Sequence, residues 1–165
     1  MIKKTLLFIV VVLGVYALTL KGQWIDSNQI QKLNELAKTS QAFESSHERS
    51  PFATTLALVS GHTVVLTKEQ GGFGAPDAGF LNGKYYSFFP PGVSLMILPL
   101  YVLGQAFGAG QLFAYMTIPI IMVVCLLLVF VICKRVFNLP ARAALSAAIT
   151  FGFGTTAWSY TITIY

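Results

Sequence analysis

Residues 77–99 read DAGFLNGKYYSFFPPGVSLMILP. The segment opens as a polar loop, turns at Asn82-Gly83, passes Tyr85, Tyr86, Phe88 and Phe89, and enters an apolar helix through Pro90-Pro91-Gly92. Asn-Gly is the strongest short hairpin signal, because both residues accept the positive φ of a tight primed turn. The turn predicts that Lys84-Tyr85-Tyr86 folds back on Gly79-Phe80-Leu81. Every acidic residue lies at or before Asp77, and no charge occurs from Gly92 to Cys133. The segment therefore separates a charged loop from a membrane part.

Composition agrees with that division. Of 165 residues, 55% are hydrophobic and 10% charged, and the mean hydropathy is +0.70, outside the range of soluble globular chains. An all-α polytopic membrane protein is expected. The formal charge of +5 does not mark a nucleic-acid binder. Asp26, Glu35, Glu44, Glu48, Glu69 and Asp77 are matched by Lys21, Lys32, Lys38, Arg49, Lys68 and Lys84. The excess sits at Lys3, Lys4, Lys134, Arg135 and Arg142, beside apolar runs, as the positive-inside rule expects of cytoplasmic ends. Cys125 and Cys133 fall inside an apolar run, where thiols act as small hydrophobes.

Upstream of the hairpin, Thr5–Leu20 is an uncharged apolar run behind Lys3-Lys4, extended by Ile2 and Trp24-Ile25 toward the ~20 residues of a span. No A-x-A-like site follows it, so residues 1–25 read as a retained signal anchor rather than a cleaved signal peptide. Residues 26–91 then form an extracytoplasmic loop. Within it, 27–44 predicts a short amphipathic helix capped by Ser27, either on the bilayer surface or solvated. Residues 50–61 predict a second helix, with Ser50 as N-cap, Pro51 at the first position and Gly61 as terminator. Glu48 and Arg49 would stand just ahead of it, where the helix dipole favours an ionised carboxylate, the form a general base or metal ligand needs. Thr63–Thr67 is a β-branched run. Gly71–Asp77 lacks the lysine of a phosphate-binding loop and reads as irregular backbone. His47 and His62, separated by the helix, read as surface residues rather than a metal pair.

Downstream, topology decides. Were residues 92–109 to cross fully, 112–133 would return and place Lys134-Arg135 outside, against the positive-inside rule. Residues 92–110 are therefore expected to form a half-embedded interfacial helix interrupted at Pro99, and 111–133 a second span. Residues 134–140 make a cytoplasmic turn through Asn138-Leu139-Pro140. Residues 141–165 read as a third span with a small-residue face suited to helix packing, marked at the outer interface by Trp158, Tyr160 and Tyr165. About three transmembrane helices follow. The ending without a polar tail reads as the amino-terminal piece of a longer protein, expected to be inactive alone.

The order of features carries a resemblance. A signal anchor, E-R-S-P-F-A-T-T-L-A-L-V (Glu48–Val59), D-A-G-F-L-N-G-K-Y-Y-S-F-F-P-P-G (Asp77–Gly92), L-P-L-Y-V-L-G (Leu98–Gly104) and K-R-V-F (Lys134–Phe137) together resemble the amino-terminal part of GT-C fold membrane glycosyltransferases. The groups most similar are the protein-mannosyltransferase-like family 39 and the aminoarabinose transferases. No single motif is diagnostic. The resemblance implies an enzyme that moves a sugar from a polyprenyl-phosphate donor to a lipid, glycan or protein acceptor on the outer face of the cell membrane. It implies a first-loop acid, here Glu48, as catalytic base or ligand of a divalent metal ion, and Asp77 as a second acid. Where the aminoarabinose branch carries Glu and Lys before the two prolines, this chain has Phe88-Phe89. The carrier phosphate contact then falls to Arg49 or Lys84, with Tyr85 and Tyr86 completing the donor site. The stretch also reads as an aromatic belt. The alternative function is a non-enzymatic lipid-binding subunit or carrier component.

Overall fold

The computed structural model describes residues 2–20 and 46–162; the helix expected over 27–44 lies outside them. The described elements are α1 (Ile2–Thr19), α2 (Ser46–Gly61), α3 (Lys68–Gly74), β1 (Ala78–Leu81), β2 (Lys84–Ser87), α4 (Gly92–Gln105), α5 (Gly110–Arg135), α6 (Ala141–Phe153) and α7 (Ala157–Thr161). The chain is mostly helical, consistent with the all-α class expected, with one hairpin in the loop. It divides into two compact units, one of residues 1–20 with 118–162 and the other containing 46–117.

Among the described residues α5 is the one helix long and apolar enough to cross a membrane, at 26 residues. At 1.5 Å per residue it reaches about 39 Å, more than the ~30 Å hydrocarbon core. Only 22% of its most apolar window is buried against protein. A soluble core helix would be covered, so the exposed apolar surface points to a bilayer as its solvent. The span expected over 111–133 lies within this helix.

The other expected spans are shorter. The apolar part of α1 is Leu6–Thr19, and α6 has 13 residues, about 20 Å. The continuous third span over 141–162 is therefore not formed. Gly154 stands at the C-cap of α6, with its N–H on the Thr150 carbonyl. Thr155 Oγ1 then donates to the Phe151 carbonyl at 2.6 Å and accepts from Ala157 N–H. These local side-chain bonds compete with the helical ladder and restart the chain as α7.

In the first unit, Val12, Tyr16, Val123, Leu126 and Ile162 form the core. Ala144, Ala148 and Gly152, four apart on α6, are its buried residues, the close-packing face expected from composition. A Cβ on Gly152 would stand 2.6 Å from Leu126 Cδ2 and 3.0 Å from Tyr16 Oη. Tyr16 Oη donates to the Gly152 carbonyl at 3.0 Å, and its ring stacks on Phe153 at 5.1 Å.

The second unit is built around α2, which is buried from Pro51 to Ala57. Its partner α4 buries Ser94, Ile97, Tyr101 and Gly104, a single face by their spacing of three and four. Phe52 meets Tyr101 edge-on at 5.6 Å, and Ser94 Oγ donates to the Pro51 carbonyl at 2.8 Å. Burying a side chain such as Phe52 or Ile97 contributes about 1.5–3 kcal/mol. The interruption expected at Pro99 does not occur, because α4 runs through it. At 14 residues, about 21 Å, α4 is shorter than the ~30 Å hydrocarbon core. It joins α5 by a tight turn in which the Gly104 carbonyl accepts from Phe107 and Ala109 N–H.

Three local expectations need correction. Helix α2 begins at Ser46, so Ser50 is not its cap and Pro51 lies inside it. The missing proline N–H costs one helical bond, and the Ser50 hydroxyl points across the unit instead. The helix ends at Gly61 as expected, and the left-handed residue that follows it is His62, φ 51°. The glycine run 71–74 is helical, not irregular: α3 starts from a capping box in which Thr67 accepts from Gln70 N–H and Gln70 accepts from Thr67 N–H. Gly71 and Gly74 sit where a Cβ would meet Tyr85 Cδ1 at 2.7 Å and Ser50 Cα at 3.3 Å. Their lack of side chain lets α3 pack, which outweighs poor helix propensity.

The hairpin forms as expected. Asn82 and Gly83 have φ 49° and 77°, and the strands pair Ala78–Ser87, Gly79–Tyr86, Phe80–Tyr85 and Leu81–Lys84. The β-branched run adds only one bridge, from Leu66 N–H to the Tyr85 carbonyl at 2.9 Å.

Candidate functional site

The side chains with chemical potential gather at the first turns of α2. Glu48 lies in the first turn, where it complements the dipole, and its carboxyl is fully buried. Tyr115, on α5, donates its hydroxyl to Glu48 Oε2 at 3.3 Å. A buried carboxyl is tolerated only with such partners.

Asp77 arrives at the same helix end from the far side of α3. Its N–H donates to the Gly74 carbonyl, and its carbonyl accepts from Phe88 N–H. Ser50 Oγ donates to the Asp77 carbonyl at 2.8 Å and lies 2.8 Å from Ser87 Oγ. The base of the hairpin is thereby pinned to α2. Asp77 Oδ2 is 3.9 Å from His47 Nε2, and the two side chains are 20% and 55% exposed. At that distance they form an ion pair when the imidazole is protonated rather than a hydrogen bond. The His47 ring meets Phe89 edge-on at 5.3 Å. Arg49 Nη2 donates to the Ala75 carbonyl at 3.1 Å, so its guanidinium ties α2 to the loop carrying Asp77.

Of the residues expected at the site, Glu48, Arg49 and Asp77 are thus brought together, and Lys84, Tyr85 and Tyr86 are not. Asp77 precedes β1 and Lys84 opens β2 opposite Leu81. Strand rise puts about 13 Å between the base and the tip of this hairpin. Tyr85 packs inward on Gly71 and beside Phe80 at 4.7 Å. Two contributors escaped sequence reading. His47 reads as a surface residue, which at 55% exposure it is, but its nearness to Asp77 is not legible, and Tyr115 lies in a run that reads purely as membrane. His47 could be found by its place beside Glu48; nothing local marks Tyr115.

For a divalent metal, Glu48, Asp77 and His47 offer hard oxygen and imidazole donors at one helix end. They do not converge: among the described residues no group of three or more His, Cys, Asp or Glu side chains could hold a metal ion. Comparison with family models, curated proteins and solved structures finds no match.

Proposed function

We propose that this chain is part of a multi-pass membrane glycosyltransferase of the GT-C type, using a polyprenyl-phosphate sugar on the outer face of the membrane. In this reading α1 and the α6–α7 segment add to α5 as membrane-crossing segments. The single observation that supports the reading is that the α2 end carrying Glu48 and His47 also receives Asp77, from a separate part of the loop, in a chain with a membrane-length helix. The two acids meet different partners, Asp77 beside His47 and Glu48 covered under Tyr115, and unequal surroundings are what separates acid and base roles.

The roles follow from exposure. Asp77, partly exposed beside His47, is the base a substrate can reach; Glu48, covered and bonded by Tyr115, holds the helix end. The acceptor hydroxyl gives its proton to the Asp77 carboxylate as its oxygen bonds to the anomeric carbon. The bond from that carbon to the phosphate oxygen breaks, and polyprenyl phosphate leaves with the electron pair. Arg49 supplies positive charge near that leaving group.

The test is transfer of a labelled sugar from a polyprenyl-phosphate donor by membranes containing the full-length protein. General-base catalysis contributes about 10²–10⁴-fold, so Asp77→Asn should lower transfer by at least about a hundredfold. Undiminished transfer in that variant would remove Asp77 from the mechanism.

A further inference from the structure

The two faces of the hairpin differ in what they meet. By the register, Ala78, Phe80, Tyr85 and Ser87 share one face, and Gly79, Leu81, Lys84 and Tyr86 the other. The first face packs inward at its base and middle, where Tyr85 lies on Gly71, Ala78 faces Gly74, and Ser87 meets Ser50; toward the tip Phe80 is 63% exposed. The second face carries Leu81 and Lys84 exposed and Tyr86 half-buried. An antiparallel pair packed on one side presents polar residues on the other when water covers it. Here the outward residues are Leu81, Tyr86 and Lys84, and Phe88 lies across Gly79, whose Cβ would fall 2.5 Å from the Phe88 ring. Leu81 is 64% and Phe88 69% exposed.

We propose that this outward face is a bilayer-docking surface, with Leu81, Tyr86 and Phe88 entering the headgroup region and Lys84 meeting the phosphates of anionic lipids. Three observations select a bilayer as the occupant. The residue set is that of membrane interfaces: an aliphatic side chain, amphipathic and aromatic rings, and a long cation. Charge is complementary, because no acid follows Asp77 anywhere in the chain, leaving Lys84 the hairpin's charge. The same unit contains α4, whose exposed face is Leu95, Met96, Val102 and Leu103, and whose end is packed on Phe113 at the start of the membrane-length helix. The assignment moves Lys84 and Tyr86 from the sugar donor to the bilayer and does not rest on the proposed activity.

The test uses the full chain with Cys125 and Cys133 replaced by alanine and a fluorescent nitrobenzoxadiazole label on Leu81→Cys. It is reconstituted in vesicles of equal parts phosphatidylcholine and phosphatidylglycerol, with Glu69→Cys on exposed α3 as the water-facing control. A label seated ~5–10 Å into the interface should be quenched roughly twofold more by lipids with a doxyl group near the headgroup than near the chain end. It should also be shielded from aqueous iodide relative to position 69. A label open to iodide like the control overturns the proposal. So does a label shielded from both iodide and doxyl lipids, which would mean that protein covers the face. Adding Lys84→Gln should lower the odds of immersion about fivefold in these vesicles and leave them unchanged in phosphatidylcholine alone; equal immersion in both would overturn the role of Lys84.

Discussion

Tyr115 and Glu48, 67 positions apart, meet in the interior of the second unit, the phenolic hydroxyl donating to the carboxyl at 3.3 Å. The contact ties the first turn of α2 to the opening turns of α5, a membrane-length helix. An acid of the first loop is thus held by a residue that looks, in sequence, like membrane packing.

Tyr115→Phe removes the donor and leaves the buried carboxyl with one partner fewer. Such a loss costs about 1–3 kcal/mol. Unfolding of the detergent-solubilised chain should show that drop, and a smaller one when Glu48 is already Gln. Additive effects of the two changes would mean that they do not interact.

In the first unit, Tyr16→Phe deletes the hydroxyl bonded to the Gly152 carbonyl. Interhelical bonds in apolar surroundings contribute about 0.6 kcal/mol, reaching ~1.7, and the loss should fall in that range. Gly152→Ala should cost more, about 1–3 kcal/mol of overpacking, because its Cβ would strike both Leu126 and Tyr16. Equal stability of the glycine and alanine proteins would contradict the packing described.

Gly83 holds φ 77° with open space around its Cα. Gly83→Ala therefore tests backbone strain alone and should cost about 1–2 kcal/mol, read as faster amide exchange across the hairpin pairs. Unchanged exchange would argue against the turn.

Glu69, exposed in the first turn of α3, is held below the ordinary glutamate range by its own backbone N–H and then by the Thr67 hydroxyl, against an opposing effect of burial, with Lys68 adding the least. A depressed folded pKa stabilises above the unfolded value, about 4.3, and that stabilisation is lost as pH falls through the folded one. Protection of the α3 amides should decline on acidification in that window. Thr67→Ala should lower α3 stability by about 1 kcal/mol and flatten the decline. A pH-independent α3 would show that Glu69 is not engaged.

What the sequence disclosed divides by the range of the interaction. The Asn82-Gly83 turn and its register were legible because two adjacent residues determine them. The apolar run of α5 was legible because length and composition suffice. The start of α2 was not, since Ser50-Pro51 mimics a helix start while the Ser50 hydroxyl serves a partner 27 positions away. The glycines of α3 read as loop because propensity favours one, whereas close approach to Tyr85 and Ser50 decides otherwise. Convergence of Glu48 and Asp77 was foreseen only as a shared loop; His47 and Tyr115 enter through long-range contacts that no spacing encodes.

The proposed function requires that α5 cross the bilayer with the acid-bearing end of the chain outside. With Cys125 and Cys133 replaced by alanine, single cysteines at Ser60 and Val136, both exposed, can be labelled with a membrane-impermeant maleimide. Position 60 should react in intact cells, and position 136 only after permeabilisation. Reaction of both positions from the same side would contradict the crossing, and reaction of 136 alone in intact cells would contradict its direction.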